Sequence, residues 1–139
     1  MKISTKGRYA VRVMAEIASH NNEYVSLTEL AQKQGISAKY LEQIVAKLTK
    51  NHLLISLRGA NGGYKLNVSA KDCTVADILQ ATNDMPDLVP CLKYNANCPR
   101  KDNCFSINCW ETLSKIIYDY LKSVSLQDLI DKSGLNKNL

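Results

Sequence analysis

Four of the five cysteines, Cys91, Cys98, Cys104 and Cys109, crowd into one stretch with intervals of six, five and four residues. Structural zinc sites use knuckles of two cysteines only two to four residues apart, and none occurs here. Thiolates spread along an irregular segment suit an iron-sulfur cluster better. Four thiolates fill every ligand position of a cluster, and the spacing leaves 2Fe–2S and 4Fe–4S both open. The same thiols also suit a redox switch that oxidises to a disulfide without metal. Cys73, beside Thr74 and Val75 at a helix start, reads instead as a small buried hydrophobe, and His20 and His52 read as surface or packing residues. No nucleophile–base pair or phosphate-cradling loop occurs, so catalysis is not expected.

The cysteine segment, from Thr82 to Cys109, also holds all three prolines. A long irregular stretch of this kind is usually functional or disordered. Helical periodicity resumes from Trp110 with Leu113, Ile117, Tyr120, Leu121 and Val124, a seam suited to burial against another helix, in a second copy of the chain or by ordinary packing within this one. Ser125 and Asp128 then mark the start of a short capped helix.

Ahead of the cysteines, three helices and a hairpin are expected. Ala10, Val13, Met14, Ile17 and Ala18 share one face of a helix over roughly residues 7–19. Ser26, with Glu29 at the reciprocal capping position, opens a second helix ending near Gln34. Gly35 permits a tight left-handed turn, Ile36 drops inward, and Ser37 caps a third helix with Leu41, Ile44, Val45 and Leu48 on its apolar face. After Asn51 the period changes to two, with Leu53, Ile55 and Leu57 facing one way in the first run, then Tyr64, Leu66 and Val68 in the second. Between them Gly59, Asn61, Gly62 and Gly63 build a turn with left-handed angles, flanked by Arg58 and Lys65. The expected fold is therefore mainly α with a small two-stranded β wing. Residues 1–72 form a winged helix-turn-helix and residues 73–139 carry the cysteine loop and a long dimerisation helix. A short helix around Val75, Ile78 and Leu79 joins them.

Helix, glycine turn, helix and wing form a layout for reading DNA. With its apolar side buried, the third helix presents Ala38, Lys39, Glu42, Gln43 and Lys47 to a groove, with Tyr40 at the edge and Ser37 at the start. Lys39 and Gln43 can reach base edges or phosphates, while Glu42 can accept from a cytosine amino group and so discriminate between sequences. Arg58, with Gly59 and Asn61 beside it, suits a narrow minor groove. Lys6, Arg8 and Arg12 at the start of the first helix are phosphate contacts, Lys6 together with the helix's free amides.

The charge distribution agrees. The net charge of +5 divides into eleven Lys and Arg against five Asp and Glu in residues 1–72, and seven against eight in residues 73–139. The basic half is the expected nucleic-acid face. The amino terminus lacks an apolar signal core and no eighteen apolar residues run together, so a cytoplasmic protein with no membrane partner is expected. In that reducing compartment, metal or redox chemistry outranks structural disulfides.

Met1–Ala10, Ile36-Ser37, Tyr40–Gln43, the wing Arg58–Tyr64 and the cysteine loop together resemble the iron-sulfur cluster regulators of the IscR type, over nearly the whole chain. NsrR-like nitric-oxide sensors and CymR-like cysteine-metabolism repressors share that fold, the latter sometimes without the loop. The resemblance implies a homodimeric repressor, sometimes an activator, whose DNA affinity follows a cluster, favoured as 2Fe–2S, and which serves cluster assembly or cysteine and redox homeostasis. It also implies that the helix after Trp110 forms the dimer interface. Cys91, Cys98 and Cys104 match its cysteine ligands, although the first interval is one residue longer. The position of its histidine ligand is Ile107, which cannot bind iron, leaving Cys109 as the substitute. A carboxylate used by some relatives near the start of the first helix is here Arg8. The alternatives are a winged-helix repressor controlled by thiols or a partner and, from another class, a small iron-sulfur electron carrier. The latter leaves the basic helix and glycine wing without a purpose.

Overall fold

Short polar side chains decide where the helices begin. The computed structural model describes residues 2–92 and 97–133; Met1, residues 93–96 of the cysteine segment and residues 134–139 lie outside them. Ser4 accepts from the Gly7 N–H and starts α1, Thr5–Ala18, about two residues ahead of the expected 7–19. Ser26 caps α2, Leu27–Gln34, and Gly35 ends it at φ 65°. Ser37 caps α3, Ala38–Lys50, by accepting from the Tyr40 N–H at 3.2 Å. Glu29 pairs with Lys33 at 3.0 Å, one turn along its own helix.

Strands β1, Leu54–Leu57, and β2, Gly63–Leu66, pair antiparallel with Leu54 opposite Leu66 and Leu57 opposite Gly63. The expected phase of the first strand was wrong. Leu54 is the buried residue, whereas Leu57 is 48% exposed, because His52 turns the chain at φ 62° before the strand starts. The left-handed angles of the wing fall on Gly59 and Gly63, not on Asn61. Val25 adds a bridge to Tyr64, and a Cβ on Gly63 would collide with the Val25 carbonyl, so glycine lets the hairpin lie against the start of α2.

The second half folds back on the first. Thr74 and Asp77 form a reciprocal capping box that opens α4, Val75–Ala81. Two single 3₁₀ turns, Pro90–Leu92 and Lys101–Asn103, interrupt the cysteine segment. Helix α5, Ile107–Ser123, starts three residues before Trp110, so Cys109 sits in a helical turn and not in a loop. Ser125 and Asp128 exchange two hydrogen bonds at the head of α6, Leu126–Ser133. Leu126 is fully buried, and its N–H donates to the Cys73 carbonyl at 2.8 Å. Ala10, Val13, Met14, Leu30, Leu41, Leu48, Leu54, Ile78 and Leu126 belong to one core. Among the described residues, no helix is long and apolar enough to cross a membrane.

Truncating Leu126 to alanine should cost about 2–5 kcal/mol, whereas Leu57→Ala should stay within about 0.5 kcal/mol. Urea unfolding of both variants at one fixed protein concentration checks this. Equal midpoints would show that α6 is not part of the core.

Candidate nucleic-acid interface and cysteine segment

Helix α3 hides Leu41, Ile44, Val45 and Leu48 completely. Its other side leaves Ala38, Lys39, Glu42 and Gln43 exposed and Lys47 half-buried. The hydroxyl of Ser37 is engaged by its cap, and Tyr40 is half-buried edge-on to Tyr9, with ring centroids 6.0 Å apart. Arg58, Gly59 and Asn61 are exposed on the wing, whose turn is closed by the Gly62 N–H donating to the Gly59 carbonyl at 3.0 Å. A Cβ on Gly62 would collide with the Leu57 carbonyl. Lys65 lies 4.8 Å over the Tyr24 ring, away from the wing tip.

Helix α1 brings Lys6 against Lys47 of α3, and this neighbouring ammonium pushes Lys47 below the ordinary lysine range. Two adjoining cations repel one another, and an anion placed between them would relieve that repulsion. Arg8 is exposed and donates to the Thr5 hydroxyl at 3.2 Å. Arg12 is occupied internally: it donates to the Gln34 side chain at 3.0 Å and to the Gln34 carbonyl at 2.8 Å, and lies over the Tyr9 ring at 5.3 Å. The helix amides expected to help Lys6 are partly taken as well. The Ser4 N–H donates to Asp84 at 2.8 Å and the Gly7 N–H to Ser4. Asp84, 80 residues away in sequence, carries no local signal for this role. Ser4 could have been found from its spacing to Gly7.

All five cysteines are free. Cys73 is in the core at 2% exposure, and burial, aided by Asp77, pushes its thiol up to about 12. Cys91 and Cys98 line one cavity of about 350 Å³ with Pro90 and Asn97. Cys104 is half-buried, 3.3 Å from the Ser106 hydroxyl, and that hydroxyl and the Ser106 backbone hold its thiol below the usual cysteine range. Cys109 lines a second cavity, of about 450 Å³, with Asn108, Thr112, Leu113 and Ile116. Among the described residues, no three His, Cys, Asp or Glu side chains are gathered as metal ligands. The donor set nevertheless suits an iron-sulfur cluster: four thiols free of disulfides and outside the core, three on a segment with little regular structure and Cys109 in the first turn of α5.

None of the residues of α5 is buried, and Leu113, Ile116 and Tyr120 are 39%, 58% and 65% exposed. Ile116 extends the face expected from the sequence. Cys109 lies on the same stripe, one turn before Leu113.

A helix-turn-helix with a bare polar second helix and an adjoining glycine wing defines a winged-helix DNA-binding regulator. Solved structures agree. CymR (YrzC), the global cysteine regulator of B. subtilis, matches with TM-score 0.76 and 33% identity, over 95% of this chain and 98% of that one. The T. potens IscR structure matches with TM-score 0.73 and 36% identity, over 96% and 88% of the two chains. The chain belongs to the Rrf2 family, described as iron-dependent transcriptional regulators, whose pattern matches residues 3–132. Relatives include protein rrf2 of Nitratidesulfovibrio vulgaris, 38% identical over 136 residues, covering 97% of this chain and 91% of the relative. The HTH-type transcriptional regulator IscR of Photorhabdus laumondii is 38% identical over 132 residues, covering 94% and 80%. The chain is thus a transcription regulator of the IscR and CymR kind, and not an enzyme.

In reduced, metal-free protein, Cys104 should react with iodoacetamide at lower pH than an ordinary thiol, and Ser106→Ala should move its rate profile to higher pH. Cys73 should stay unlabelled until denaturant is added. Mass mapping that finds Cys73 labelled as fast as Cys104 would contradict the placement of both.

Proposed function

We propose that this chain is a homodimeric repressor that reads a two-fold DNA site and whose grip is set by an iron-sulfur cluster on Cys91, Cys98, Cys104 and Cys109. The observation that carries the reading is the location of the free thiols. Three lie between α4, which is embedded in the DNA-binding core, and α5, which has no buried residue; the fourth lies on α5 itself. A cluster supplies a metal-sulfide centre whose charge and lability respond to redox and iron supply. The names of the IscR relatives support this, and all-cysteine ligation is the form the available donors favour, since Ile107 offers no donor. The resemblance favours 2Fe–2S, and the regulator's place of action is the cytoplasm, where its DNA lies.

In the complex, α3 enters the major groove with Lys39 and Gln43 toward base edges and Glu42 accepting from a cytosine amino group. Ala38 leaves room for close approach, and Ser37 and Tyr40 hold the start of the helix in place. Lys6, Arg8 and Lys47 meet phosphates, and Arg58 enters the minor groove from a wing shaped by Gly59 and Asn61. The α5 stripe of Leu113, Ile116 and Tyr120 closes against a second copy, setting two recognition helices about one helical turn, or a multiple of one, apart. A second reading is favoured by one specific feature, the lowered thiol of Cys104 beside Ser106, which suits direct oxidation without a cluster.

Protein purified without oxygen should be brown and carry iron and sulfide, and should lose colour when Cys91, Cys98, Cys104 or Cys109 is changed to alanine. Colourless, iron-free protein after reconstitution would remove the cluster and leave the thiol reading. On DNA, Lys39→Ala and Arg58→Ala should each weaken binding by about 1–2 kcal/mol, and Glu42→Ala should flatten sequence preference. Fluorescence anisotropy across a panel of duplexes separates these effects. Unchanged preference in Glu42→Ala would remove its discriminating role.

A further inference from the structure

Helix α1 has no acidic residue in its first turn, yet its amino terminus is not left without an anion. The carboxylate of Asp84 accepts from the Ser4 N–H at 2.8 Å, and it lies so close over Gly7 that any Cβ there would collide with it. A carboxylate at a helix amino terminus satisfies a free donor and complements the helix dipole. Asp84 is itself fixed: α4 ends in a left-handed turn at Asn83, φ 54°, and the Asp84 N–H donates to the Leu79 carbonyl at 2.8 Å. One residue after Asp84 the segment leading to Cys91 begins.

What this contact holds is the turn that carries Lys6. Helix α1 packs on α3, and Lys6 stands against Lys47, a like-charge approach that an anion between them would relieve. We propose that Asp84 is a positioning residue for DNA binding, its carboxylate fixing the first turn of α1 over Gly7 so that Lys6 and Lys47 present one phosphate seat. The inference rests on the DNA-binding reading above. Gly7 is required on this account for its missing side chain, since a helical position otherwise favours alanine.

The test compares the full-length protein with Asp84→Ala, Gly7→Ala, the double variant and Lys6→Ala in binding a mixed-sequence duplex across a salt titration. Asp84→Ala and Gly7→Ala should each weaken binding roughly 3–10-fold and lower the slope of log affinity against log salt by about one, as Lys6→Ala does. The double variant should be no worse than Asp84→Ala alone, because without the carboxylate the new methyl group meets nothing. Lys6→Ala added to Asp84→Ala should cost no further slope. A full parental slope in Asp84→Ala, or additive losses from Gly7→Ala and Asp84→Ala, would overturn the proposal while leaving DNA binding intact. A parent protein with no salt-dependent binding would overturn both.

Discussion

The fold depends on one apolar helix face. Ala10, Val13 and Met14 of α1 are fully buried and Ile17 nearly so, and against α1 pack α2, α3, β2, α4 and α6. Removing those side chains from water is the main driving force available to a chain this short. It also means that the reading helix, the wing and the returning carboxy-terminal helix share a single support. A shift of α1 therefore moves the DNA-facing elements together, because a close-packed interior transmits displacement instead of absorbing it.

Polar side chains then set how α1 is held at its ends. At its amino end Ser4 and Asp84 satisfy the free amides. Toward its carboxy end Glu16, a buried carboxylate, pairs with His20 at 3.1 Å and Lys33 at 3.2 Å and accepts from Gln34 at 3.4 Å. Burial of a charge is tolerable only with such partners. Lys33, shared between Glu29 and Glu16, is held above the ordinary lysine range by them, Glu29 foremost. Arg12 joins the same region through Gln34. Apolar packing supplies cohesion here, and these contacts supply the angle between α1 and the helix-turn-helix.

Much of this was legible in the sequence because it is local. Ser26, Gly35 and Ser37 set two helices and a turn within a dozen residues, and the apolar set of α3 was read without error because its period is unambiguous over three turns. The strand failed for a local reason as well: Leu53-Leu54-Ile55 is apolar at every position, so alternation could not choose the face, and the left-handed turn at His52 chose it. The start of α5 was missed because Cys109 and Asn108 look like loop residues, although the helix runs through them. Asp84 and the folding-back of α6 were illegible for another reason. Both depend on contacts across the length of the chain, and a carboxylate that caps a distant helix has the local sequence of any other.

The proposed sensing chemistry has a physical requirement that this arrangement meets. A change among thiols can alter DNA affinity only through elements that differ in energy between two states. Six residues separate Cys91 from Asp84, which touches α1, and Cys109 is already part of α5. One end of the thiol segment thus meets the helix that supports the reading head, and the other meets the stripe that would pair two copies. Ordering the segment around a cluster would constrain both ends at once. A disulfide confined to two neighbouring cysteines would constrain one. The breadth of that coupling is what the proposed four-thiol ligation would add over a local redox pair, with Cys109 as the point where the proposed ligation and dimer contact would meet.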